Sequence, residues 1–358
     1  MTQANVHKTK PKWQRVAADV LRYTLPFVVS IGMVVWLTRK VDIHQMMAEI
    51  HKGCDYWWIV LMMVLTTLSH MIRGTRWGIQ LRGAGLPRFP RAVGWMSIFG
   101  AYALNLLLQN AGEVWRCVYM ARREKAPLTT VIGTDIGDRG SDGAVILILL
   151  VFTMIVAHGQ LMNFLNHYQV GQDVEHYFHD PGMYIIVFLV LALVGAVLFY
   201  GKRYSDVRKI DSGLEQVWRG FKVIFTMPGR GQYLLLTLAI WACYYLQTYV
   251  CFFAFPFTRE LITDPTTVHG LMPGLVVFMF GSLSMAVPSN GGLGPWNLAV
   301  MFGLSLYGIS DPQGAAFSFI VWGSQAASII LMGIVAAVYI SVHRRREAAG
   351  ENAEAKAT

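Results

Sequence analysis

The sequence reads as an all-α polytopic membrane protein. About six full spans and two re-entrant helical hairpins, eight membrane elements in all, are arranged as an inverted repeat. That expectation rests on the apolar content, on the lengths of the apolar runs and on where lysine and arginine fall between them. Of the 358 residues, 54% are apolar and 14% are charged, against about 25% charged in an average soluble chain. A soluble domain cannot hide that much apolar surface, whereas eight membrane elements of about 20 residues each absorb it. No polar stretch is long enough to build a large catalytic domain outside the membrane. A soluble enzyme and a disordered chain are both excluded.

The first apolar run covers residues 25–37. Basic residues precede it, but Arg22 interrupts its start and no small-residue cleavage site follows, so it reads as an uncleaved span. Further long runs cover 56–79, 131–157, 183–200, 233–255 and 314–342. Two shorter runs break at polar or glycine-rich sequence: 92–108 ends at Gln109-Asn110-Ala111-Gly112-Glu113, and 271–287 ends at Pro288-Ser289-Asn290-Gly291-Gly292-Leu293-Gly294-Pro295. The piece 296–309 that follows the second break is too short to span.

Charge placement assigns sides. The net charge is +9, and the basic residues cluster at 8–22, 73–91, 116–125, 202–230 and 344–346. The loops 39–55, 158–181 and 256–269 hold few. By the positive-inside rule the clusters are cytoplasmic, as are both termini, in a bacterial inner membrane. Segments 73–91 and 116–125 then share a side, so 92–115 enters and leaves on that side as a hairpin. By the same reasoning 270–310 enters and leaves from the outer side. Residues 56–157 form a first repeat and 233–342 an inverted second one, the arrangement of transporters with broken helices near the midplane. Between them, Val207, Ile210, Leu214, Val217, Phe221 and Ile224 make one helical stripe. The segment 203–226 therefore reads either as an interfacial amphipathic helix or as a helix packed on the protein's own spans. The whole of 1–342 is one membrane domain, and 343–358 is expected to be a disordered cytoplasmic tail.

Four motifs carry charge or broken backbone into this apolar frame. Asn105 precedes Gly112-Glu113-x-x-Arg116, where Glu113 and Arg116 lie one helical turn apart and can pair. This reads as a polar cavity for a headgroup, or as a self-satisfied ion pair at the hairpin exit. Asp138-Arg139-x-x-Asp142, extended by Asp135, offers a guanidinium and carboxylates on one face, suited to phosphate, a cation or a proton; a solvated helix start is the plainer reading. Arg73-x-x-Arg76-Trp77 reads as phosphate capture at the inner leaflet, or as snorkelling arginines with a belt tryptophan. Pro288 through Gly291, Gly292 and Gly294 to Asn297 exposes backbone amides as an anion nest, or is simply a turn. His176-x-x-His179 has metal-like spacing but reads as a polar outer loop. The four cysteines, Cys54, Cys117, Cys243 and Cys251, form no CxxC pair, so neither a disulfide framework nor a zinc site is expected. No nucleotide-binding or metalloprotease motif is present.

At these residues the chain resembles the flippase-like transmembrane family, the lysylphosphatidylglycerol synthase transmembrane region, over about residues 56–342. The matching positions are Arg76-Trp77; Asn105, Gly112, Glu113 and Arg116; Asp138, Arg139 and Asp142, with Asp138 for the usual Glu; and Pro288, Gly291, Gly292 and Gly294. The chain departs from the pattern at Leu108-Gln109-Asn110, at Asn290 in place of a second proline, and at Asn297 in place of a glutamate, which weakens any proton-coupled role at that position. The soluble aminoacyl-transferase domain of the full synthases is not in this sequence. The resemblance thus implies a lipid-translocating module: a non-enzymatic flippase for a phosphate-bearing lipid, with Arg73, Arg76 and Arg116 attracting the headgroup and Glu113, Asp138, Arg139 and Asp142 lining its path. No metal or cofactor is expected, and no nucleic acid. The partners expected are a phospholipid or similar lipid and the membrane, with a second copy or a glycosyltransferase as protein partner. The alternative is a transferase or accessory subunit acting with a glycosyltransferase on lipid-linked substrates.

Overall fold

A computed structural model gives the fold and describes residues 12–159 and 226–357. Every regular element among them is helical. Helix α1 (Lys12–Lys40) turns by 84° into α2 (Ile43–His51). Asp42 makes the corner, because its carboxylate accepts from the amides of His44 and Gln45 and so caps α2. Asp55 starts α3 (Tyr56–Gly83) in the same way. Pro90 precedes α4 (Arg91–Leu107), a break at 108–110 leads into α5 (Ala111–Arg123), and Pro127 precedes α6 (Leu128–Val156). The second described part holds α7 (Arg230–Cys251), α8 (Pro256–Thr263), α9 (Leu271–Ser284), α10 (Pro295–Ser305) and α11 (Asp311–Ala357).

Among the described residues four helices, α3, α6, α7 and α11, are long and apolar enough to cross a bilayer, and the bent α1–α2 pair brings the number to five when it is taken as one span. Their outward faces carry Ile31, Ile148, Ile155, Leu235, Leu238 and Val338, each more than half exposed. Such a surface suits contact with lipid. The expected span at 183–200, the loop with His176 and His179, and the amphipathic segment up to residue 225 lie outside the described residues. The tail differs from expectation: α11 continues as helix to Ala357. Residues 347–357 are rich in Ala and Glu, strong helix formers, and they extend a helix already nucleated by α11.

The two broken segments are helical hairpins. In the first, Gly112 of α5 lies on the backbone of Ala101 in α4, and Trp115 lies on Gly100. In the second, Trp296 of α10 lies on Gly281 of α9, and Gly303 on Val277. Both pairings run antiparallel. At about 1.5 Å per residue, α4 reaches about 26 Å and α9 about 21 Å, short of a comfortable crossing. The arms fold back where the chain cannot remain helical. Leu108 is extended and Asn110 adopts a left-handed φ of 61°, while Gly291 and Gly292 have φ of 58° and 80°. Each hairpin's first arm packs on the last helix of the other half, α4 on α11 and α9 on α6, and the first helices of the halves, α3 and α7, pack on each other. Small residues set the closest approaches, as membrane helices require without a hydrophobic force between them: a Cβ on Gly74 of α3 would meet the Gly94 carbonyl of α4 at 2.8 Å.

One position tests the first hairpin. An alanine Cβ at Gly112 would fall onto the Ala101 carbonyl oxygen, so Gly112→Ala should lower the thermal unfolding midpoint in detergent by an amount corresponding to about 3 kcal/mol. Gly143 on α6 has open space around it, and Gly143→Ala should leave the midpoint unchanged or raise it. A Gly112→Ala protein as stable as the parent would contradict this contact.

Candidate functional site

Helix α6 carries Asp135, Asp138 and Asp142 at i, i+3 and i+7, one face of the helix. That face meets α3, which presents Arg73 and Arg76 one turn apart, and α5, which presents Arg116. Asp138 is the hub. Its Oδ1 lies 2.7 Å from Arg76 Nη2, and its Oδ2 lies 3.3 Å from Arg73 Nη1 and 3.8 Å from Arg116 Nη2. Asp142 takes the remaining arms, at 2.6 Å from Arg73 and 2.9 Å from Arg76. Asp135 pairs with Arg116. Aromatic faces complete the shells: Arg116 stands 4.6 Å from the Trp77 ring centroid and Arg76 5.3 Å from that of Tyr233. Helix α7 supplies neutral partners, with Tyr244 Oη accepting from Arg73 Nε at 3.2 Å and Thr237 Oγ1 accepting from Arg76 at 3.2 Å.

A fourth pair closes the set. Glu113, at the start of α5, pairs with Arg139 of α6. Asn105 of α4 donates through Nδ2 to Glu113 at 2.9 Å, and its Oδ1 accepts from the Gly112 amide at 2.7 Å, so one side chain holds both arms of the hairpin and the carboxylate. Four guanidinium groups thus face four carboxylates and the charges sum to zero. Their exposure is uneven: the side chains of Arg73, Arg76 and Arg116 are 4%, 0% and 2% exposed, whereas Arg139 is 46% exposed. Beside it Val114 and Ile136 face outward at 61% and 47%.

The second break touches the first. Asn290 donates through Nδ2 to the Leu107 carbonyl at 3.2 Å, and Gly291 lies against Leu106. The Asn290 amide donates to Ser30 Oγ of α1 at 3.0 Å, and Trp322 of α11 donates to the Gly291 carbonyl at 2.8 Å. Asn297 Oδ1 accepts from the Gly294 amide at 3.1 Å, closing the start of α10, where Pro295 occupies the first turn. Asn297 is fully buried.

Several sequence expectations are corrected here. Glu113 and Arg116 do not pair with each other. They point to different neighbours on α6, because two more carboxylates stand within reach of Arg116. Arg73 and Arg76 do not snorkel, and Trp77 is not a belt residue: it is buried and donates to Thr134 Oγ1 at 3.2 Å. Nor are Asp138 and Asp142 a solvated helix start, since they sit in the second and third turns beyond it, buried. The three aspartates are taken up by guanidinium groups, and no group of three His, Cys, Asp or Glu among the described residues is placed to hold a metal ion. The four cysteines are free thiols. Sequence reading missed the polar face of α3 above Arg73, namely Thr66, Ser69 and His70, and its partners Tyr233, Thr237, Tyr244 and Gln247 on α7. Both sets repeat at three, four or seven residues inside long apolar runs, and that periodicity was the available signal.

Compared with known families, residues 23–336 match the family model described as Lysylphosphatidylglycerol synthase TM region. No curated protein and no solved structure matches.

The hub role of Asp138 is measurable. Breaking a buried pair by removing one partner costs about 3–5 kcal/mol. Asp138→Asn, which weakens three arginine contacts, should lower the unfolding midpoint more than Asp135→Asn, which weakens one. Equal losses would contradict the hub.

Proposed function

Because the chain belongs to the family of the lysylphosphatidylglycerol synthase TM region, which its model matches across residues 23–336, we propose that it moves a phosphate-bearing lipid between bilayer leaflets. The observation that carries this reading is the Glu113–Arg139 pair. Three of the four guanidinium groups are paired with carboxylates and sealed from the surface. Arg139 alone is both charged and open, at the mouth of the first hairpin among lipid-facing side chains. An ionic residue in such a place is costly unless it has work to do. A lipid phosphate arriving from the side can replace Glu113 in the guanidinium fork, with bidentate geometry. The headgroup site is therefore Arg139 and Glu113, steadied by Asn105 and Gly112, while Arg73, Arg76, Arg116, Asp135, Asp138 and Asp142 hold the helices that form it.

The two hairpins are the gates of this reading. The halves repeat one order, a long helix, a short arm, a break, a short arm and a long helix, and cross-pack reciprocally. An inverted repeat about an axis in the membrane plane accounts for this and puts both breaks near the midplane, where Asn290 meets Leu107. The first hairpin opens from the cytoplasmic side and the second from the outer side, with Pro288, Gly291, Gly292 and Gly294 giving the second its bend. Backbone groups freed at the breaks face protein or a wet path rather than lipid.

Two measurements test the reading. Single cysteines at Arg88 and Arg123 should be labelled from one face of sealed vesicles and a cysteine at Pro265 from the other; opposite labelling of Arg88 and Arg123 contradicts a re-entrant first hairpin. In proteoliposomes of the purified protein carrying a fluorescent phospholipid, Arg139→Lys should slow leaflet exchange about tenfold, equivalent to about 1.4 kcal/mol, with the unfolding midpoint unchanged. Exchange at the parent rate would remove Arg139 from the site.

A further inference from the structure

A buried polar chain runs along α3 outward from the ion-pair lattice. Thr66, Ser69 and His70 are each at most 3% exposed. Thr66 Oγ1 donates to Gln247 Oε1 of α7 at 3.0 Å, and Gln247 Nε2 donates to Ser69 Oγ at 3.3 Å. His70 Nδ1 lies 2.7 Å from the Thr66 carbonyl oxygen. A carbonyl only accepts, so Nδ1 carries the proton and the neutral ring keeps its lone pair on Nε2. That Nε2 is buried and has no hydrogen-bond partner among the described residues. One turn further along α3 stands Arg73. The His70 ring meets the edge of Tyr102 of α4 at 4.2 Å between centroids, and the Arg73 guanidinium lies 5.9 Å from the centroid of that same ring.

We propose that His70 Nε2 is the proton-binding site of the transport cycle, so that one proton crosses together with each singly charged anionic phosphodiester lipid. The inference rests on the lipid-moving reading above and names its coupling ion. Charge balance carries it. Without a ligand the lattice is neutral, four guanidinium groups to four carboxylates. An anionic headgroup entering a low-dielectric, neutral site brings an uncompensated charge. A proton taken up at Nε2 forms an imidazolium next to the lattice and supplies the missing positive charge. The loaded site is neutral again, and nothing is oxidised or transferred covalently. The groups facing His70 are consistent with this role. On α3 the neighbouring charged group is Arg73. From α4 comes Tyr102, from α7 Tyr244 and the neutral Gln247, and from α6 the carboxylates of Asp138 and Asp142 through Arg73. Helix α11 brings no ionisable residue between Asp311 and Tyr339. Headgroup and proton therefore favour each other by reciprocal linkage. A zwitterionic headgroup, already neutral, gains nothing from the proton.

The test uses full-length protein in phosphatidylcholine vesicles containing acyl-labelled fluorescent phosphatidylglycerol or phosphatidylcholine, with membrane potential clamped at zero. A gradient of one pH unit should leave phosphatidylglycerol enriched about tenfold in the leaflet on the alkaline side, the ratio that one coupled proton sets. Labelled phosphatidylcholine should distribute evenly, as should both lipids in protein-free vesicles. His70→Gln should abolish the enrichment. Even distribution of phosphatidylglycerol by the parent protein, or enrichment that survives His70→Gln, overturns the proposal while leaving lipid movement standing. Movement of neither lipid overturns the lipid-moving reading instead. Proton binding is then judged separately, by nitrogen NMR of histidine-labelled protein in nanodiscs, with the His70 signal identified by its loss in His70→Gln. Replacing phosphatidylcholine with phosphatidylglycerol should raise the pH at which Nε2 titrates; an unchanged midpoint overturns the proposal.

Discussion

Mutual neutralisation of buried charge is the constraint on which this protein depends. Arg73, Arg76 and Arg116 lie among membrane helices with almost no exposed surface, where an unpaired guanidinium costs several kcal/mol at least. Each is tolerable only while Asp135, Asp138 and Asp142 stand opposite it. That requirement fixes the rotation of α6 about its own axis, since its three aspartates must face α3 and α5 together. It also fixes the depth of the first hairpin, because Arg116 reaches the lattice only when α5 is seated against α4. A slip of one turn in any of the three helices would leave charges without partners, so the lattice selects one register where lipid-facing apolar contacts alone would allow several.

Backbone steric limits do the remaining positioning. The contact of Gly112 with Ala101 draws α5 close enough for Asn105 to hold both the Gly112 amide and Glu113. The left-handed turn at Asn110 reverses the chain between α4 and α5, the glycines at 291 and 292 shape the turn between α9 and α10, and the two breaks then meet through Asn290 and Leu107. The charged lattice and the broken hairpins are thus one construction. The lattice anchors the first hairpin from α6, and the second hairpin rests on the first. Arg139 differs from the other three because it lies at the edge of the aspartate face of α6, about 100° round the helix from Asp138, where its side chain stays 46% exposed.

Much of this was legible in the sequence. Apolar runs marked the helical membrane class and the places where the two short helices break, since burial in lipid leaves strong compositional traces. Arg73, Arg76, Glu113, Arg116, Asp138, Arg139 and Asp142 stood out because charge inside apolar runs is rare. What the sequence withheld was partnership. Glu113 and Arg116, one turn apart, look like a local pair, yet each finds its partner on α6, and only tertiary packing decides between near and distant carboxylates. The polar faces of α3 and α7 stayed hidden because Thr, Ser and Tyr scarcely alter the hydropathy of a long apolar run and a lone His70 or Gln247 is outweighed by its apolar neighbours, although both are buried. The helical tail shows the opposite error: a polar, charged composition was read as disorder, while its helix formers continue α11.

The most direct test of the central claim is a double-mutant cycle on Arg73 and Asp142, whose ion pair measures 2.6 Å. The quantity needed is unfolding free energy in mixed micelles for the parent, Arg73→Gln, Asp142→Asn and the double variant. If the lattice holds the helices by mutual neutralisation, each single change strands a buried charge, and the double change costs less than the two together by about 2 kcal/mol or more. Additive costs would show that the two residues contribute independently, and would contradict the account of a charge-balanced core.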